Sequence, residues 1–497
     1  MNKSSKALLF WCMSPFLSLF AQNKPDYQWI LGGNSGGLGI HIDFKFSPIQ
    51  LSNEYTGIKM EGSNTSISDD SGSLLFYSNG CKIVNAKGEV MENGDGINPG
   101  NIENYYCFPV SGSPMIQGVI ALPSPEGDGL YYVLNLDLDQ PYLLEPDFFG
   151  SAPQRLYYQK IDMTQDSGYG AVVLKNQIAV LDTFARGNIQ AVQHTNGKDW
   201  WVVVPKSHSN CYFVVPVTAD GVQAPQRKCL GRVWTDDDSG AQVVFSPDGK
   251  KYVRFNGWNG LNIFDFDAAT GDLSNPLHID FSQDTINYIA GVSISPNSRF
   301  LYVCARKNVY QYDLWANNIA DSKFKVATWD GFQNPYSTLF YLAALGPDGK
   351  IYISNTSSTL NLHVIHRPNC YGLGCELEQH GIDLPGYNYA TIPNFPHYRQ
   401  SYLNCDSSLV DVVNTKGTVS LMHISPNPSA AETTLSLPIF TQGQWFLTDI
   451  SGKMVQKGRW LGNSMQMKTQ DYPRGLYFFQ LLTEDGRVFV GKLVVQR

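Results

Sequence analysis

Phe245-Ser-Pro-Asp-Gly-Lys250, Ile294-Ser-Pro-Asn-Ser-Arg299 and Leu345-Gly-Pro-Asp-Gly-Lys350 decide the fold of this chain. They lie about fifty residues apart, and each separates a short apolar run from an alternating strand pattern. Ala241-Gln-Val-Val-Phe245 precedes the first and Lys251-Tyr-Val-Arg-Phe255 follows it; Gly291-Val-Ser-Ile294 and Phe300-Leu-Tyr-Val-Cys304 frame the second. Proline presets φ at the first central position, aspartate bonds its own backbone and glycine accepts positive φ, so each segment is a tight turn between two strands.

Weaker copies lie upstream. His194-Thr-Asn-Gly-Lys198 leads into Trp200-Trp-Val-Val-Val204, Ser124-Pro-Glu-Gly-Asp-Gly129 into Leu130-Tyr-Tyr-Val-Leu134, and Ser68-Asp-Asp-Ser-Gly72 into Leu74-Leu-Phe-Tyr77. A third strand follows the turn, as in Leu261-Asn-Ile-Phe-Asp265 and Asn308-Val-Tyr-Gln-Tyr312, and Leu277-His-Ile-Asp-Phe281 suggests a fourth. Four strands per unit of about fifty residues is the pattern of a WD40-like propeller blade. The fold class is therefore all-β, a β-propeller. Tyr27–Leu31 and Leu38–Ile42 remain before the first marker, and Gly381–Pro385 and Ile392–Phe395 after the last. Pairing these ends in one shared closing blade gives seven blades and removes the sheet edges; six is the alternative.

Composition agrees. Aromatic residues make up 13%, glycine 45 and proline 27 of 497 residues, while charged residues are only 16%, which suits many short half-buried strands joined by turns. A net charge of −8 lacks the clustered cations of a nucleic-acid binder.

Residues 1–21 are expected to be a signal peptide: Lys3 and Lys6 precede an apolar run from Ala7 to Phe20, broken by Pro15, with Ala21 as the small residue before cleavage. Residues 22–401 are the propeller, 402–422 a linker and 423–497 a separate unit. Loss of the first segment removes Cys12 and leaves eight cysteines in an exported chain, so disulfides are expected. Cys370 and Cys375 flank a Tyr-Gly-Leu-Gly turn that a local bridge could close, and Cys211 and Cys229 could staple adjacent outer strands.

The last unit opens with Ile424-Ser-Pro426-Asn427-Pro428 and carries strands Gln444–Thr448, Gly475–Leu482 and Val488–Val494, the pattern of a small immunoglobulin-like β-sandwich. It resembles the type A sorting domain of the type IX secretion system of Bacteroidetes. The matching residues are Pro426, Asn427 and Pro428, then Asp449-Ile-Ser-Gly452-Lys453, Pro473-Arg-Gly475-Leu-Tyr477-Phe478 and Gly491-Lys492-Leu-Val-Val495. The resemblance implies contact with the type IX machinery, export across the outer membrane, removal of the domain, and surface attachment or release. Upstream, Trp29-Ile-Leu-Gly32, Gly37-Leu-Gly39 and Ser66–Tyr77 are similar to propeller-containing surface proteins of the same bacteria, with Ile30 and Leu31 in place of aromatic residues.

No catalytic constellation stands out. Gly33-Asn-Ser-Gly-Gly37 is similar to a protease nucleophile loop, but Ser35 has no identifiable base or orienting carboxylate and suits a glycine-rich turn. His363-Val-Ile-His366 is unsuited to a metal pair, because strand residues three apart face opposite ways. No cofactor is expected. Asp236, Asp237 and Asp238 could hold calcium, although a solvated acidic loop is the commoner use.

If the Pro-Asp-Gly turns share one face, the other loops share the opposite face. That face collects Arg186, Lys206, His208, Trp234, Asp236, Asp237, Asp238, Trp258, Tyr288, Arg306, Lys307 and Tyr336, residue types suited to an extracellular protein or polysaccharide ligand. A binding or scaffolding module is the expected function. A propeller hydrolase or lyase is the alternative, and a carboxylate or histidine cluster in the central funnel would favour it.

Overall fold

The computed structural model describes residues 24–32, 37–100, 106–107, 111–137, 153–235, 239–282, 291–399, 419–449, 454–483 and 488–496. Asp236, Asp237, Asp238, Tyr288, Gly452, Lys453, Ser35 and the expected signal peptide lie outside them.

Seven antiparallel sheets form the propeller, and the described residues contain no α-helix. Blade one is Gln28–Leu31, Leu38–Asp43 and Gln50–Tyr55; blade two is Thr65–Ser68, Leu74–Ser78 and Ile83–Asn85. Blades three to seven begin at the innermost strands Val119–Pro123, Gln190–Gln193, Gln242–Phe245, Gly291–Ile294 and Phe340–Leu345. All six turn markers join an innermost strand to the second strand of its blade, so these turns share one face, here the turn face.

The turn chemistry is local. Ser246 Oγ donates to Asp248 Oδ1 at 2.6 Å and accepts from the backbone N–H groups of Lys250 and Lys251, while Gly249 takes φ +71°. Ser295 and Asn297 repeat this arrangement in blade six. These bonds satisfy backbone donors that a bare turn would leave to solvent.

Strand alternation gives each blade two apolar faces, and seven clusters fill the seven seams. Ile58, Met60, Tyr77 and Val84 join blades one and two; Ile67, Phe76, Val119 and Val133 join two and three. Leu134 and Val202, Val203 and Val243, Val253 and Val303, and Cys304 and Ile353 mark the next four. Trp29 closes the ring between blades one and seven. It is fully buried, with its ring centre 4.9 Å from Phe44, 5.5 Å from Tyr352 and 6.1 Å from Phe395.

This closure corrects the shared closing blade expected from the sequence. Each end of the chain builds its own sheet, and side chains pack across the seam instead of strands pairing. Gly381–Pro385 belongs to Leu377–Tyr389, the outermost strand of blade seven. Ile392–Phe395 forms no strand; it enters the propeller axis.

Asn394 is the centre of that axial segment. Its side-chain NH2 donates to the carbonyls of Val119 and Ile189 at 3.0 and 2.9 Å. Its carbonyl oxygen Oδ1 accepts from Gln117 and Gln190 at 3.0 and 3.2 Å. Its own backbone N–H reaches Asn64 O at 2.7 Å, and its backbone carbonyl accepts from Thr65 Oγ1 at 3.0 Å. Gln117 also exchanges two bonds with Val243, and Gln242 bridges Val292 to Ala343. Beyond Asn394 the segment reaches the turn face, where Arg399 pairs with the buried Asp26 at 2.6 Å. The space left around this segment is about 30 Å3, room for about one or two waters.

The cysteines divide differently from expectation. Cys211 and Cys229 are in-register neighbours on antiparallel strands and form a disulfide, as do Cys81 and Cys107. Cys375 does not bridge to Cys370: it is a free buried thiol whose pKa burial pushes up to about 12, whereas Cys370 is disulfide-bonded. Cys375 packs inside the seam between blades six and seven, which explains why sequence proximity did not pair the two.

Two outcomes follow from this architecture. Asn394→Leu leaves two glutamine amides and two carbonyls facing an apolar group, so unfolding free energy should fall by at least about 3 kcal/mol in denaturant titration. A loss below about 1 kcal/mol would mean that water can take over the axis. His363 is fully buried and neutral, with Nε2 2.9 Å from Thr338 O and Nδ1 accepting from His380 N–H; burial lowers its pKa from 6.5 to about 4. The unfolded chain therefore binds a proton that the folded one refuses, and stability should decline as pH falls from about 6.5 to about 4. His363→Asn should flatten that slope in urea midpoints measured across the range; an unchanged slope would exclude His363 as its source.

Candidate functional site

The axial segment fills the funnel, so the open site lies above it, on the face opposite the turns. A cavity of about 440 Å3 opens there, within the size range of small-molecule pockets. Its described lining comes from three places. Glu61, Gly62, Tyr106, Ser111, Gly112, Pro114 and Ile116 line it from the segments that lead into blades two and three. Tyr341 and Thr356 come from blade seven, and Tyr389 and Ala390 from the start of the axial segment.

Local structure fixes these groups. The Cys81–Cys107 disulfide ties the residue beside Tyr106 to the loop after the second strand of blade two. Tyr341 is 7% exposed and is carried on the innermost strand of blade seven. Ala390 takes φ +54°, unusual for a residue with a side chain, at the point where the chain turns from the last strand into the axis. Gly62, at φ +73°, packs against the backbone of Ser113 and Pro114; a Cβ there would lie 2.6 Å from Ser113 O. Glu61 is the single acidic group of the described lining, 3.7 Å from Lys59.

Of the residues singled out in the sequence, none in the described set lines this cavity. Arg186 and Arg306 adjoin it through the backbone: Arg186 precedes Gly187, which packs on Ile116 O, and the Arg306 carbonyl accepts from Phe340 N–H at 2.8 Å. Trp258 and Tyr336 stand exposed at 42% and 58% on the same face, and His208 is exposed beside Ser207. Trp234, expected on the exposed loop face, is instead 1% exposed, with the Arg254 guanidinium carbon 3.4 Å from its ring centre, so its ring is packed inside the fold. The described residues hold no group of three metal-ligating side chains, and His363 and His366 part as strand geometry requires, one buried and the other paired with Glu378.

Sequence reading missed Tyr106, Tyr341 and Tyr389, which share no motif. It also missed the axial glutamines, although these left a signal: Gln117-Gly-Val119, Gln190-Ala-Val192 and Gln242-Val-Val244 repeat at the head of three successive innermost strands.

The C-terminal unit forms six strands around one core of Trp445, Leu447, Trp460, Phe479, Leu481 and Leu493, a small sandwich. Its motif residues have structural roles. Pro426 and Pro428 offer no N–H to the sheet, and Asn427 between them supplies the bonds instead: its Nδ2 donates to Lys492 O at 2.5 Å and its Oδ1 accepts from Val494 N–H at 2.8 Å. Gly491 lets Val488–Val495 pass Ile424, where a Cβ would lie 2.5 Å from Cδ1. The Tyr477 hydroxyl donates to Pro473 O at 2.7 Å. Gly475 starts its strand opposite Val495, and Asp449 pairs with Tyr477 across the sheet.

Residues 423–496 match the family model of the secretion system C-terminal sorting domain. No curated protein matches the chain in sequence. Solved structures similar to it include the periplasmic gluconolactonase of Pseudomonas aeruginosa, at 13% identity over 74% of this chain and 98% of that one, with a TM-score of 0.41. The β-propeller domain of Cps50 from Myceliophteria thermophila is 9% identical over 66% of this chain and 90% of its own, with a TM-score of 0.37. A quinonprotein alcohol dehydrogenase-like protein from Bacteroides thetaiotaomicron is 14% identical over 74% and 77%, with a TM-score of 0.37. No helix among the described residues is long and apolar enough to cross a membrane. Asn427, Gly491 and Tyr477 thus hold together a domain that belongs to the type IX secretion C-terminal sorting family, and it marks this seven-bladed propeller for export to the cell surface or beyond.

Proposed function

We propose that the exported propeller is a binding module whose loop-face pocket receives a neutral sugar unit of an extracellular polysaccharide. The observation that carries this reading is the lining itself: three tyrosines, the hydroxyls of Ser111 and Thr356, and a single carboxylate. Flat rings supply stacking area for a sugar face at small entropic cost, and hydroxyls and Glu61 offer hydrogen bonds to its edge. Glu61 would repel a uronate or sulfated unit. Glycoside hydrolysis needs two carboxylates across the scissile bond, and the described lining offers one. Among the described residues the axial space is lined chiefly by the amides of Gln117, Gln190, Gln242 and Asn394, and its one acid, Asp26, is paired with Arg399. Trp258 and Tyr336 provide outlying platforms for further units of a long chain.

Calorimetry against neutral and uronic oligosaccharides tests the reading. The neutral series should bind, and Tyr389→Ala should weaken it by about 5- to 30-fold, the loss of about 1–2 kcal/mol of ring contact. Equal binding by the variant, binding of the uronic series alone, or binding only to a protein ligand would refute it.

A further inference from the structure

We infer that the sorting domain docks on the propeller, on an aromatic platform at the turn-face rim of blades six and seven. Phe446 is the indicator. Along Glu432–Asp449, Trp445 and Leu447 point into the sandwich core, so Phe446 points away from it, yet it is only 7% exposed. Its cover is the propeller: its ring centre lies 5.9 Å from Phe324 and 6.0 Å from Tyr371, both edge-on. Phe324 and Tyr371 are themselves 5.4 Å apart, and Phe300 lies behind Tyr371 at 6.1 Å.

The platform is built and held in place. Gln311, fully buried, donates to the carbonyl of Cys370 at 2.8 Å and accepts from Gly372 N–H at 2.7 Å, which clamps the backbone on both sides of Tyr371. A Cβ on Gly372 would press to 3.3 Å from the Phe324 ring, so glycine there lets the loop lie against that ring. Phe324 opens the outermost strand of blade six opposite Gln311, near the turn-face end of its neighbour, and Tyr371 follows the turn-face end of Ser358–Ile365. Arg399 leaves the axis on the same face, beside Ser246–Gly249. The occupant is therefore the chain's own C-terminal domain, which arrives on that side. Phe446 is thus covered while two other large apolar side chains of the same domain, Phe440 and Leu461, stay 71% and 73% exposed.

Hydroxyl-radical footprinting of the full chain tests this, with Phe440 as an internal standard of the same residue type. Phe446 should label about tenfold more slowly than Phe440, in line with exposures of 7% and 71%. Replacing Phe324 and Tyr371 together by serine should raise Phe446 labelling several-fold, while the Phe440 rate stays constant. Phe446 labelling as fast as Phe440 in the natural chain would overturn the inference, as would protection that survives the double replacement. Phe446→Asp in the full chain gives a second reading through small-angle scattering: the radius of gyration should rise, and an unchanged value would again overturn docking.

Discussion

A ring of twisted sheets leaves a polar gap along its axis, and everything else in this propeller depends on how that gap is satisfied. The innermost strands carry backbone groups that neighbouring blades cannot all reach, and an unpaired buried amide costs more than a formed bond returns. Carboxamides solve the problem because each offers two donors and a two-lone-pair acceptor on one short stem. Asn394 uses its full capacity at the centre, Gln117 and Gln242 carry links on to blades five, six and seven, and Asn64 reaches blade one through the carbonyl of Ile30. The seams between blades are apolar and interchangeable in kind; the axis is polar and specific.

The same segment separates the two faces. Because Tyr389 and Ala390 lie where the chain descends, the loop face keeps a cavity with those residues in its wall. On the turn face the segment emerges among closely packed turns, and among the described residues the space beside His397 and Arg399 is about 70 Å3. Among the described residues, depth is thus greater on the loop face, by the path of the backbone.

The turns were legible from the sequence because their chemistry is contained in five or six consecutive residues. Ser246, Asp248 and Gly249 bond each other, so no distant partner is needed to recognise them. The sorting domain was legible for a related reason: Asn427 and Gly491 serve fixed backbone requirements that recur as a motif. The closing seam was not, since whether Ile392–Phe395 pairs as a strand or fills the axis depends on what the other six blades leave open. Nor was the pocket, whose tyrosines come from separate parts of the chain and meet only when the ring is complete. Trp234 misled because a tryptophan in a loop looks the same in sequence whether it faces solvent or covers Arg254.

The ion pair between Asp26 and Arg399 brings the two described ends of the propeller together on the turn face. Any structure that grips the chain beyond Arg399 holds the disc from beneath, and the tyrosine-lined mouth then opens away from the point of attachment.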